Sequence, residues 1–181
     1  MYYAVGVTEL KSIAKGIEAC DEALKSANIR LVSAHTACPG KYEIVLTGPL
    51  ADVQAAVDRI REGYGPYLVD AVMMGRIDET VIRALLGGQD VSRQEALGVI
   101  ETFSAASAIK AADTAVKTSR VEILDLRVSR GMGGKGIVLL TGDVSDVSAA
   151  VEAGSAYAKD QGLFTGSSVI ASTHGDLWEY L

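Results

Sequence analysis

The chain is written twice, and no other property of the sequence restricts its fold so strongly. Ala4-Val5-Gly6-Val7-Thr8-Glu9 returns as Ala96-Leu97-Gly98-Val99-Ile100-Glu101, an offset of 92. At that offset Ser12, Ala14, Ile17 and Ala19 meet Ser104, Ala106, Ile109 and Ala111, and Asp21, Ala23 and Lys25 meet Asp113, Ala115 and Lys117. Further on, Leu46-Thr47-Gly48 meets Leu140-Thr141-Gly142, and Asp52-Val53 meets Asp146-Val147, at an offset of 94. Two residues have therefore been added to the second copy, at the place that corresponds to about 37–40 of the first. A period near 92 is too long for a solenoid and suits a small domain. The glycine-rich, polar stretch Leu86 to Arg93 is the natural join. The expected domains are 1–89 and 90–181.

Each copy has the same internal pattern. Residues 3–9 and 95–101 are short apolar runs suited to buried strands. Residues 11–26 carry Ile13, Ala14, Ile17, Cys20, Ala23, Leu24 and then Ala27 at spacings of three and four, the stripe of an amphipathic helix. Ile29 to Ala37 and Tyr42 to Thr47 are β-prone and are joined by Cys38-Pro39-Gly40-Lys41. Asp52 to Arg61 is helical, Tyr67 to Met74 a strand, and Asp78 to Leu86 a terminal helix with Asp78 as N-cap. The order is βαββαβ plus a terminal helix. The expected class is α+β, a tandem duplication of a ferredoxin-like domain with helices on one face of an antiparallel sheet.

Composition excludes several functions. The 17 basic and 23 acidic residues give a net charge of −6, and without a basic run nucleic acid is not an expected partner. No basic, apolar leader is visible at the start, and the longest apolar runs are too short to span a bilayer. Two cysteines, 20 and 38, do not make a secreted disulfide framework, so a cytoplasmic, reducing compartment is expected.

Gly131-Met132-Gly133-Gly134-Lys135-Gly136 matches the dinucleotide fingerprint Gly-x-Gly-x-x-Gly, but it opens the apolar run 137–140, a strand, where that fingerprint opens a helix. A phosphate-binding P-loop also fails, because Ser129 and Gly136 stand where glycine and Ser/Thr are required. A flexible hairpin loop remains. Cys20 lies on the apolar stripe and reads as a buried small hydrophobe. Cys38 stands in a Pro-Gly turn, where a side chain is exposed. His35 precedes it by three residues, the wrong parity on a strand for a Cys/His pair, and His174 lies beside Asp176; no catalytic residue is assigned and no enzyme is expected. Cys38 is either incidental or, if several chains meet, part of a shared site. One chain alone offers far too few thiolates for an iron–sulfur cluster.

The duplicated pattern resembles the bacterial microcompartment (BMC) shell domain. The resemblance rests on Ala96 to Glu101 with Ala111-Ala112-Asp113-Thr114-Ala115-Val116-Lys117, on Gly142-Asp143-Val144-Ser145-Asp146-Val147, and on the same elements of the first copy. It spans the whole chain and implies a tandem shell protein: a homotrimer with pseudo-sixfold symmetry, tiling beside hexameric and trimeric shell proteins around a cytoplasmic microcompartment. It also implies that the loops between the second and third strands line a central pore. These are Ala37, Pro39, Gly40 and Lys41 around Cys38, and Gly131, Met132, Gly133 and Gly134 in the stretch from Arg130 to Lys135. In the subgroup typified by the tandem shell protein of propanediol-utilising compartments, a Cys-Pro-Gly-Lys loop in the first copy stands with a Gly-Gly-Lys loop in the second. There three cysteines bind one [4Fe–4S] cluster for electron transfer, which makes Cys38 the cofactor and metal ligand here, with Gly40 and Lys41 N–H groups near the sulfurs. Redox proteins of cytosol or lumen would be further partners. The family's alternatives are a pore that conducts metabolites without a cluster and, outside it, a soluble ferredoxin-like ligand-binding regulator. Lys25 and Lys117 correspond to the family's tile-edge lysines. The family's Pro-Arg-Pro-His stretch is replaced by Met74-Gly75-Arg76-Ile77 and Ala171-Ser172-Thr173-His174, leaving Arg76 as a candidate edge arginine.

Overall fold

The computed structural model describes residues 4–88, 95–128 and 131–181. The boundary drawn at 89/90, most of the join before Arg93, and Arg130 lie outside the described residues. In chain order the elements are β1 (Ala4–Leu10), α1 (Ile13–Ser26), β2 (Arg30–Ala37), β3 (Lys41–Gly48), α2 (Leu50–Tyr64), β4 (Leu68–Met74) and α3 (Glu79–Leu85). The second copy supplies β5 (Ala96–Thr102), α4 (Ala105–Thr118), β6 (Glu122–Val128), β7 (Gly136–Gly142), α5 (Val144–Asp160) and β8 (Phe164–Ile170), followed by a 3-10 segment, Gly175–Tyr180.

Two compact units result. The first comprises the described residues up to 77 together with 104–106 and 131–134, and the second takes the rest, α3 included. Each holds a four-stranded antiparallel sheet, in the order β2-β3-β1-β4 or β6-β7-β5-β8. The third strand of each copy is thus inserted between the two strands joined by the first helix, which is the split βαβ arrangement expected from the sequence.

In the first unit Leu10, Ile44 and Leu46 pack beneath Ala19, Cys20 and Ala23 of α1 and Ala56, Ile60 and Tyr64 of α2. Close approach of α2 to the sheet depends on Gly6, where an added Cβ would lie 2.7 Å from Val57 and 3.1 Å from Val53. Gly98 repeats the device under Val147 and Val151. The register also repeats: both copies bulge after the second residue of their second strand, between Leu31/Ser33 and between Ile123/Asp125.

The structure refines three expectations. The two residues added at the β2–β3 turn are accompanied by two more that lengthen α5 relative to α2: Val5 pairs with Met74, but Leu97 pairs with Ile170, an offset of 96. Second, the buried face of α1 is Gly16, Ala19, Cys20 and Ala23, while Ile13, Ile17 and Leu24 are exposed. Their counterparts Ala105 and Ile109 on α4 are fully buried. Third, α3 packs on β6, inside the second unit.

Candidate functional site

Strand pairing from Ala37 to Lys41 leaves Cys38, Pro39 and Gly40 to turn the chain. Gly40 takes a positive φ of 84° and its N–H donates to Ala37 O at 3.0 Å. The turn therefore consumes that donor internally, and Gly40 does not offer it to a group at the sulfur. Cys38 itself is exposed and free of any disulfide, as its place in a Pro-Gly turn implied.

The turn is braced within the first unit by the glycine loop. Gly134 is buried at φ 85°, and an added Cβ there would stand 2.5 Å from Cys38 O, 2.8 Å from Pro39 Cδ and 2.9 Å from Lys41 Cε. Contacts under 3.0 Å to backbone cannot be accommodated, so only glycine permits this approach. Gly131 and Gly133 also have positive φ, but nothing lies within 4 Å of their Cβ positions.

Behind the turn lies a charge pair that sequence reading passed over. Lys41 Nζ donates to Gly134 O at 3.0 Å and stands 2.7 Å from Glu9 Oε1. The second carboxylate oxygen, Glu9 Oε2, accepts the backbone N–H of Ala105 at 3.2 Å, and Ser104 Oγ donates to Asp70 Oδ2 at 2.7 Å. Glu9 and Lys41 are both buried. A buried ion pair persists only when its remaining hydrogen-bonding capacity is satisfied, and here a helix start and a loop carbonyl supply those partners. Lys41 is therefore a structural cation that fixes the turn, and its charge is matched by Glu9.

The ladder extends this chemistry across the sheet. His35 pairs with Glu43, Glu43 with Glu9, and Glu9 with Asp70, so four titratable residues lie in one transverse row. Three of them, Glu43, Glu9 and Asp70, are buried. His35 Nε2 lies 3.9 Å from Glu43 Oε1, so its neighbour in the site is a carboxylate of the next strand. The equivalent row of the second unit reads Arg127, Ile137, Glu101 and Gly166. There Lys135 Nζ meets Glu101 Oε1 at 2.8 Å, repeating the Lys41–Glu9 pair in a partly exposed setting. The signal for these residues was present: Glu9 and Glu101, and Lys41 and Lys135, are charges retained in both copies at the margins of apolar strands. An acidic row and an exposed thiol belong to the first copy alone.

The edge candidates fall in different surroundings. Lys25 is exposed and reaches Asp21 at 2.5 Å. Lys117 stands 2.7 Å from the buried carboxylate of Asp113, which also accepts the N–H of Asp78 at 2.9 Å. Arg76 is exposed just after β4.

Both copies match the family model described as "BMC domain", over residues 4–77 and 96–173. The chain belongs to the BMC-domain family. A bacterial microcompartment shell protein, PduT of Citrobacter freundii, is 41% identical over 181 residues, which are 100% of this chain and 98% of that one. A relative from Salmonella typhimurium, the shell protein EutM, is 40% identical over 85 residues, 47% of this chain and 86% of its own. Among solved structures, a microcompartment protein from Desulfitobacterium hafniense superimposes with a TM-score of 0.81 at 38% identity, covering 99% of each chain. A fused, permuted hexameric shell protein reaches 0.68 at 20% identity over 88% of this chain and 85% of that one, which shows the BMC fold alone. Among the described residues of this BMC-domain chain, no helix is long and apolar enough to cross a membrane.

Proposed function

We propose that the protein is a structural tile of a bacterial microcompartment shell, three copies forming a pseudo-hexameric ring whose central turns carry Cys38, and that the three thiolates hold one [4Fe–4S] cluster for electron transfer across the shell. The observation that carries this reading is the exposed Cys38 on a turn braced by Gly134 and by the buried Lys41–Glu9 pair. Full-length likeness to a protein named as a shell component supports the tile itself.

The residues fit a shared cluster and not a single-chain one. Among the described residues no group of three or more His, Cys, Asp and Glu could hold a metal within one chain. Thiolate ligation requires several sulfurs, so only symmetry can assemble the set. A cluster bound there would take up and release single electrons. The protein's part is to present each Sγ on a turn that does not move: Gly40 closes the turn on Ala37, Gly134 blocks its retreat, and Lys41 anchors its end to the sheet. Other shell proteins would meet the tile at its rim, near Lys25, Lys117 and Arg76, and a non-catalytic role follows from this division of parts.

Purification without oxygen, followed by iron analysis, visible absorbance and paramagnetic resonance after reduction, tests the site. The expected content is about four irons per three chains, lost in Cys38→Ser with the trimer intact. A colourless trimer after reconstitution would leave a metabolite-conducting pore in place of the cluster.

A further inference from the structure

The duplication makes a second copy of the chain the natural partner for surfaces that are covered in one repeat and bare in the other. Helix α3 shows how one such cover works. Its N-cap Asp78 accepts the Thr80 N–H at 2.9 Å, while the Asp78 N–H donates to Asp113 of α4. The helix packs on β6, where Ile123 is buried, and its own Val81 and Ala84 are buried.

At the offset of 96 that relates β4 to β8, α3 corresponds to the 3-10 segment Gly175–Tyr180. Its cap repeats the geometry, since His174 Nδ1 accepts the Asp176 N–H at 3.3 Å, two residues on, as Asp78 does. The positions that α3 buries are bare here: Leu177 for Val81, 39% exposed, and Tyr180 for Ala84, 80% exposed. The matching seat is bare as well. On β2, Leu31 and Val32 stand where β6 has Ile123 and Leu124, and they are 42% and 56% exposed. On α1, Asp21 stands where α4 has Asp113, but it is exposed, its carboxylate 2.5 Å from Lys25 Nζ. Ile17 on the same helix is bare where Ile109 is fully buried.

We propose that Gly175–Tyr180 of one chain seats on β2 and α1 of a second copy, Leu177 and Tyr180 covering Leu31 and Val32, and the His174 N–H donating to Asp21 of the partner subunit. The contact is head-to-tail: each chain gives one segment and receives one. Such heterologous contacts close into rings when the rotation permits, which joins the inference to the trimer proposed above and rests on it. It names the element that fastens the ring, a matter separate from the cluster and from the rim.

A paired-cysteine experiment tests the seat. In a Cys38→Ser background, Asp21→Cys and His174→Cys are combined and treated with a short bis-maleimide; the remaining Cys20 is buried, and that burial raises its thiol pKa and keeps it unreactive. The double variant is expected to give covalent dimers and trimers on a denaturing gel, and each single variant none. Leu177→Asp with Tyr180→Asp, both exposed positions, is expected to shift the full chain from three copies to one in light scattering. If the wild-type chain is a trimer but the paired-cysteine variant yields no interchain product and the double aspartate variant stays trimeric, the seat is overturned while the trimer stands. A wild-type chain that is monomeric overturns both.

Discussion

At the scale of single residues, the site is a matter of which groups are allowed to be close. Gly134 lies so near the Cys38 turn that a methyl group would collide with backbone, in a conformation that L side chains rarely adopt. Left-handed strain costs roughly 1–3 kcal/mol and overpacking a similar amount. Gly134→Ala is therefore expected to lower the unfolding free energy by on the order of 3 kcal/mol, while Gly131→Ala, with open space at its Cβ position, costs about 1 kcal/mol. Denaturant titration of the two variants measures the difference, and equal losses would remove Gly134 as the brace. Legibility in sequence followed the same division. The exposed thiol and buried Cys20 were readable from a Pro-Gly turn and a helical stripe. The Glu9–Lys41 pair was not, because two charges 32 positions apart reveal their burial only when β1 and β3 lie side by side.

At the scale of elements, periodicity located nearly every strand and helix, since each needs one apolar face. It could not tell what would cover that face. Ile13, Ile17 and Leu24 on α1 satisfy the helical spacing of a core stripe yet stay exposed, whereas the small residues Gly16, Ala19 and Ala23 lie against the sheet. Helix α3 was equally legible, down to its cap, but its placement on β6 was not. That cap carries a pH prediction. Partial burial pushes the Asp78 carboxyl up, but the hydrogen bonds from the Thr80 amide and hydroxyl, with Lys117 and Arg83 nearby, outweigh it and hold the group below an aspartate's ordinary 3.8. A depressed folded value means that the cap stabilises fully above the ordinary value and loses its contribution as pH falls through the folded one. Asp78→Ala is expected to cost about 1 kcal/mol near neutral pH, a gap that closes in acid. Thermal melts of the two proteins across that range check the sign; a gap that widens in acid would contradict it.

At the scale of the whole molecule, sequence halves and compact units are not the same objects. The first unit includes residues 104–106 and 131–134, and α3 belongs to the second. Residues 4–88 alone would lack the Ala105 N–H on Glu9, the Gly134 carbonyl on Lys41 and the cover that keeps that ion pair dry. A fragment of residues 1–88 is expected to show poor dispersion in its NMR spectrum and to recover it on mixing with a fragment of 89–181. A well-dispersed first fragment would show that those additions are dispensable. Duplication at a period near 92 was visible at once, because repeated residues need no structure to be recognised. The exchange of short segments was hidden, because a repeat records what each copy contains and not which neighbour completes it.

The contact between Gly134 and the Cys38 turn bears on why such a chain would be fused at all. In a ring of six identical one-domain subunits every loop must do the same job, so a thiol carried by one loop is carried by all six and nothing is left over to support it. Two linked copies lift that degeneracy. One loop is free to keep an exposed thiol, while its counterpart supplies the glycine that lets the two loops meet. Selection can then act on thiol and buttress separately, a division of labour that identical subunits cannot reach.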